Sequence, residues 1–141
     1  MTYKEFLESK IELATESGFV VDPEKVNKVL KPHQRDAVVW ALKGGRRALF
    51  ESFGLGKTVQ EIEFCHLAAE YSGGRALIVL PLGVKQEFTH DAVEVLGYEK
   101  PEYCRTMEEV GQSTSQIVLT NYERVRDGDI RPDYFAATSL D

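Results

Sequence analysis

Cysteine is scarce in these 141 residues, with Cys65 and Cys104 far apart and in no C-x-x-C pair. That excludes a disulfide framework and makes a zinc site unexpected; reduced thiols in a cytoplasmic protein are the simplest account. Three scattered histidines add no metal-binding spacing. No apolar run is long enough to cross a bilayer, so no membrane partner is expected. Lys4, Glu5 and Glu8 interrupt the apolar stretch that a signal peptide needs. Positive charge is also short: 17 Lys and Arg stand against 23 Asp and Glu, for a formal net charge of −6. A domain that held nucleic acid by electrostatics alone would be basic, so any such contact must be local. There is no internal repeat, low-complexity tract or linker.

What is present is ordinary for a globular domain: 43% hydrophobic and 28% charged residues, in a chain long enough for one domain with a core. Within it stands Glu51-Ser52-Phe53-Gly54-Leu55-Gly56-Lys57-Thr58, after the apolar run Ala48-Leu49-Phe50 and before a helical pattern. Strand, glycine loop and helix in that order make a phosphate-binding turn. Gly54 and Gly56 let the loop curl and aim backbone N–H groups at an anion, and the helix from Lys57 adds the positive end of its dipole. Lys57 would meet the β- and γ-phosphates, and the Thr58 hydroxyl would coordinate magnesium. Glu51 stands where the general pattern has its first glycine. The alternative is a tight turn closed by a polar helix start.

Along the chain, Thr2 to Glu16 reads as a capped amphipathic helix stopped by Gly18. Asp22-Pro23 starts a short second helix with Val26, Val29 and Leu30 on one face. Pro32 to Leu42 reads as a third, ended by Gly44-Gly45, in which Gln34 taken alone is a surface amide. Arg47 to Phe50 is a buried strand, and the next helix runs from Lys57 to Tyr71, ended by Ser72-Gly73-Gly74. Ala76 to Leu80 is a continuous apolar run, as in a parallel strand covered on both faces. A helix follows from Val84 to Leu96, then a weak strand over 102–105. Thr106 and Glu109 form a capping box, Gln116 to Thr120 is a buried strand, Asp127-Gly128 a turn, and 134–140 a fourth strand. Trp40, Phe64 and Phe88 read as core, and Arg46 and Arg47 as a solvated rim. Strands alternating with helices predict an open α/β sheet, with ligands beyond the carboxyl ends of its strands. Gly54 to Thr58, Pro81 to Lys85, Asn121 to Glu123 and Asp141 all follow strand ends.

E-S-F-G-L-G-K-T resembles the first motif of superfamily-two helicases, especially Swi/Snf-type DNA translocases. Leu30-Lys31-Pro32-His33-Gln34-Arg35 is similar to the L-x-P-x-Q-R segment upstream of it, Leu77 to Val84 to the next motif, and Ile117 to Glu123 to the later I-V-L-T-x-Y-E motif. The likeness covers most of the chain from Phe19 onward and is nearest to helicase-like proteins of phages and prophages. It implies a P-loop NTPase fold, a RecA-like parallel sheet with helices on both faces. Residues 1–30 would form a helical segment packed on the core and 31–141 the first RecA-like domain. ATP and magnesium would be the cofactors and duplex DNA the partner.

The resemblance assigns nucleotide contacts to Gln34 as adenine reader, Phe19 as a stacking ring, Arg35, Ser52, Gly54, Leu55, Gly56, Lys57, Thr58 and Val59. Asp141, at the start of the second motif, would bind magnesium with Thr58. Lys57 and Asp141 would be the catalytic residues. Pro81, Lys85, Asn121 and Tyr122 would face DNA. Without family context, Lys85, Gln86 and His90 are equally a solvated helix face, Asn121 a helix cap and Tyr122 a packed ring. The glutamate that follows Asp141 in the family and the arginine fingers of a second RecA-like domain are missing, so the chain is expected to be a truncated motor that binds nucleotide and turns it over poorly. The alternative is a nucleotide-binding switch that never touches DNA. A small-molecule kinase fits less well, for want of an arginine-rich lid.

Overall fold

A computed structural model describes residues 18–44 and 57–141. The readings of an N-terminal helix over Thr2 to Glu16, of a strand over Arg47 to Phe50, and of the loop residues Ser52, Gly54, Leu55 and Gly56 lie outside the described residues. Helix α1 (Pro32–Gly44) opens on a proline, whose fixed φ and missing N–H suit a first helical position. Helix α2 spans Lys57–Ser72. It ends in a Schellman motif: Gly73 takes φ +71°, Gly73 N–H bonds Glu70 C=O, and Gly74 N–H bonds Ala69 C=O.

Strands β1 (Ala76–Val79), β2 (Glu102–Tyr103), β3 (Ile117–Thr120) and β4 (Ala137–Leu140) form a four-stranded sheet in the order β2-β3-β1-β4, parallel throughout. Strand side chains alternate between faces, and both faces are covered. Ala76, Ile78, Leu80, Ile117 and Leu119 join the larger core, with Val38, Leu42, Ile62 and Phe88. Leu77, Val79 and Val118 join a second core on the opposite face. That second core contains Val110 of α4 (Met107–Gln112) and is backed by Val125 of α5 (Tyr122–Arg126). The expected α/β sheet is therefore present. Because every strand points the same way, Pro81, Asn121 and Asp141 leave the sheet on one edge.

Four details depart from expectation. Pro23–Lys25 is a single 3₁₀ turn rather than a helix; Val26 and Leu30 are buried, but Val29 is 54% exposed. The helix expected over 84–96 is a 3₁₀ turn, a short α3 (Lys85–His90) and a π turn over Asp91–Val95. Trp40 is 46% exposed, whereas Phe64 and Phe88 are core. In the predicted capping box Thr106 accepts from Glu109 N–H at 3.2 Å, but the Glu109 carboxylate reaches Arg105 N–H at 2.8 Å, one residue earlier.

Gly18 is where the chain ahead of α1 meets the helix end. A Cβ there would fall 2.1 Å from the Leu42 and Lys43 carbonyl oxygens, and the next residue, Phe19, donates its N–H to Leu42 C=O at 2.7 Å. Among the described residues no helix is long and apolar enough to cross a membrane.

Candidate functional site

Lys57 is the first residue of α2, and Asp141 follows the last residue of β4. Asp141 is fixed by its backbone, whose N–H donates to Val79 C=O at 2.8 Å. The two side chains meet: Lys57 Nζ lies 2.9 Å from Asp141 Oδ1. Residues from opposite ends of the described core thus form one ion pair beyond the carboxyl ends of β1 and β4. The hydrogen bond to Asp141 holds the Lys57 ammonium above its usual pKa, against partial desolvation. Thr58 and Val59 occupy the same first turn of α2, partly exposed, with Val59 resting on the larger core.

Behind the pair is a residue that sequence reading missed. Glu61 is wholly buried, and its Oε1 lies 3.9 Å from Lys57 Nζ, one helical turn away. Neither carboxylate oxygen has a hydrogen-bond partner among the described residues. Burial pushes its pKa up to about 8; the Asp141 charge adds to the rise and Lys57 opposes it. The available signal was an acidic residue at i+4 from Lys57, set with Glu63 among the apolar Ile62, Phe64 and Cys65.

The proposed base-reading residues do not converge. Gln34 is buried rather than a surface amide, and its Oε1 accepts Lys31 N–H at 2.8 Å. This is one half of a capping box at the start of α1. Phe19 is tied to Leu42, eight residues along α1 or about 12 Å from Gln34. Its ring centroid lies 6.4 Å from that of Tyr71. Tyr71 is 14 residues from Lys57 on α2, about 21 Å at 1.5 Å per residue. Phe19 is therefore a packing residue at the far end of α2. Arg35 is partly buried; its Nε has no hydrogen-bond partner among the described residues and lies 3.9 Å from Asp36 Oδ1.

The residues read as DNA contacts share the sheet edge. Pro81 and Leu82 are exposed, and together with Tyr122, Leu140 and Asp141 they border a groove of about 600 Å³. Tyr122 is 63% exposed, so it is no packed ring. Asn121 precedes α5 without capping it by its side chain. It is buried: Oδ1 accepts from the Tyr103 hydroxyl and Nδ2 donates to Glu123 Oε2 at 2.6 Å. Lys85, at the start of α3, places Nζ 4.9 Å from the centroid of the Tyr103 ring. Gln86 and His90 are exposed, and His90 Nδ1 lies 3.3 Å from Asp91 Oδ1.

One ammonium and one carboxylate at the mouth of a parallel sheet suit an anionic ligand carrying a divalent ion. Among the described residues no cluster of three or more His, Cys, Asp and Glu is placed to hold a metal alone. One carboxylate and one hydroxyl, shared with phosphates, is the donor set that magnesium uses. Comparison with models of protein families and with curated proteins finds no match.

Proposed function

We propose that this chain is the nucleotide-binding part of a P-loop ATPase, with a RecA-like fold, of the Swi/Snf-type helicase and translocase class. The whole protein would couple ATP hydrolysis to movement along duplex DNA. The observation that carries the reading is the 2.9 Å Lys57–Asp141 pair. A lysine closing a G-x-G-K-T loop and an aspartate after a parallel strand are the two groups that a magnesium-bound triphosphate needs side by side.

In this reading Lys57 turns from Asp141 to the β- and γ-phosphates, and the N-terminus of α2 adds its dipole. Thr58 and Asp141 would hold magnesium, whose charge would offset that of the phosphates.

A thermal melt of the wild type and of Lys57→Ala, with and without Mg-ADP, Mg-ATP and Mg-GTP, tests this. Ligand at about 100 times its Kd stabilises by roughly 2.7 kcal/mol, a shift of several degrees. The expected result is a shift with adenine nucleotides that Lys57→Ala removes, and a smaller one with GTP if Gln34 reads the base. No shift with any nucleotide, or an equal shift in Lys57→Ala, overturns the reading.

A further inference from the structure

The edge that carries Lys85 and Tyr122 is organised by a residue that the motifs do not include. Tyr103 ends β2, the outermost strand of the sheet on that side. It makes two contacts of different kinds. Its ring lies under the Lys85 ammonium at 4.9 Å, and its hydroxyl donates to the buried Asn121. Asn121 in turn bonds Glu123, and the exposed Tyr122 stands between them on the first turn of α5. Arg124, paired with Asp129 at 3.2 Å, lies beside the same phenol. The exits of β1, β2 and β3 are thus joined through one aromatic side chain.

Lys85 forms no ion pair among the described residues, although the chain is acidic overall. A ring face attracts an ammonium electrostatically without neutralising its charge. The cation is therefore held in place and stays available to an anion. Beside it opens a groove of about 930 Å³, bordered by Lys85, Lys100, His90 and Tyr103 and also by the carboxylates of Glu94 and Glu102, so that the basic contact is local to Lys85 and Lys100. Such a site fits local contact with a phosphate backbone on a protein whose overall charge repels one.

We propose that Tyr103 is the positioning residue of a nucleic-acid contact edge: its ring aims Lys85 at a backbone phosphate, and its hydroxyl fixes the turn that presents Tyr122. This rests on the nucleic-acid part of the proposed function. A Tyr103 with only a packing role would affect folding and leave the salt dependence of binding untouched.

The test is binding of a short fluorescein-labelled DNA duplex by the 141-residue chain at several salt concentrations, with melting curves alongside. Lys85→Ala is expected to flatten the plot of log K against log salt by about one unit, as for one lost phosphate contact. Tyr103→Leu should flatten it equally and weaken low-salt binding about two- to five-fold. Tyr103→Phe should melt a few degrees lower yet keep the wild-type slope, because the ring remains. A wild-type slope in Tyr103→Leu, with a flattened one in Lys85→Ala, overturns the role of Tyr103 and leaves DNA binding standing. A wild-type slope in Lys85→Ala also overturns it, since Lys85 then meets no phosphate. Absence of salt-sensitive binding by the wild type overturns the nucleic-acid reading itself, and this proposal with it.

Discussion

Helix α2 carries two buried carboxylates two residues apart, and they are treated in opposite ways. Glu63 is satisfied: Oε2 accepts Asn27 N–H at 2.8 Å and Oε1 accepts the Tyr98 hydroxyl. Asn27 adds a bond from Nδ2 to Leu96 C=O at 3.0 Å, and Tyr98 stacks on His66 with centroids 3.8 Å apart. This network ties the segment ahead of α1 to α2 and to the loop after the π turn. Glu61, equally buried, has no hydrogen-bond partner among the described residues; its charged neighbours are the Lys57 ammonium at 3.9 Å and the Asp141 carboxylate. A buried carboxylate with its hydrogen bonds made stabilises a fold, whereas one without them destabilises its own charged form. The middle of α2 is built for stability, whereas near its N-terminal end burial favours the protonated form of Glu61 beside the Lys57–Asp141 pair.

Breaking the satisfied side has the largest expected effect. Glu63→Ala takes the acceptor from Asn27 N–H and from the Tyr98 O–H and opens a cavity, for a loss of about 3–5 kcal/mol in urea unfolding. Any nucleotide shift of the fraction still folded should persist, because the Lys57–Asp141 pair is not touched.

On the other side the signature is pH dependence. A carboxyl raised from 4.5 to about 8 by folding binds its proton more tightly in the native state. Its contribution is therefore full below the unfolded value and is lost as pH rises from about 4.5 through 8. Wild-type stability should fall between pH 5 and pH 8 by on the order of 3 kcal/mol, and Glu61→Gln should lose that slope. An unchanged slope in Glu61→Gln would refute the contrast between the two carboxylates.

Tyr98→Phe sharpens the comparison with one hydroxyl, which also accepts from Asn27 Nδ2 at 3.3 Å. It removes the hydroxyl from Glu63 while keeping the ring on His66, and should cost about 1 kcal/mol. The smallest effect belongs to the exposed pair Lys28–Glu24, where an ion pair of 2.9 Å spans one turn in water. Lys28→Ala should change stability by about 0.3 kcal/mol, near the limit of denaturant titration.

How far the sequence was legible follows the range of the interactions involved. The ends of α1 and α2, the buried strands β1 and β3, and the Thr106 cap are written in local chemistry, namely Pro32, Gly73-Gly74, apolar runs and a hydroxyl before an acidic turn. The alternation of strands and helices gave the α/β class, because parallel strands need covered crossovers. Local patterns misled where a residue's neighbours come from elsewhere in the chain. Trp40 lies in an apolar helical pattern yet faces outward, Val29 has no helix to place it, and Gln34 is drawn inward by Lys31.

For the site, the residue types of Lys57 and Asp141 were determined by sequence alone, and so was their position after a loop and a strand. That they lie 2.9 Å apart was decided by the β1–β4 pairing, which carries Asp141 to the N-terminal end of α2. The same packing separated Phe19 from the site and left Glu61 without a hydrogen-bond partner among the described residues, while Glu63 found two. Propensity and periodicity act over a few residues, whereas the charge state of a buried group depends on which distant atoms the fold puts against it.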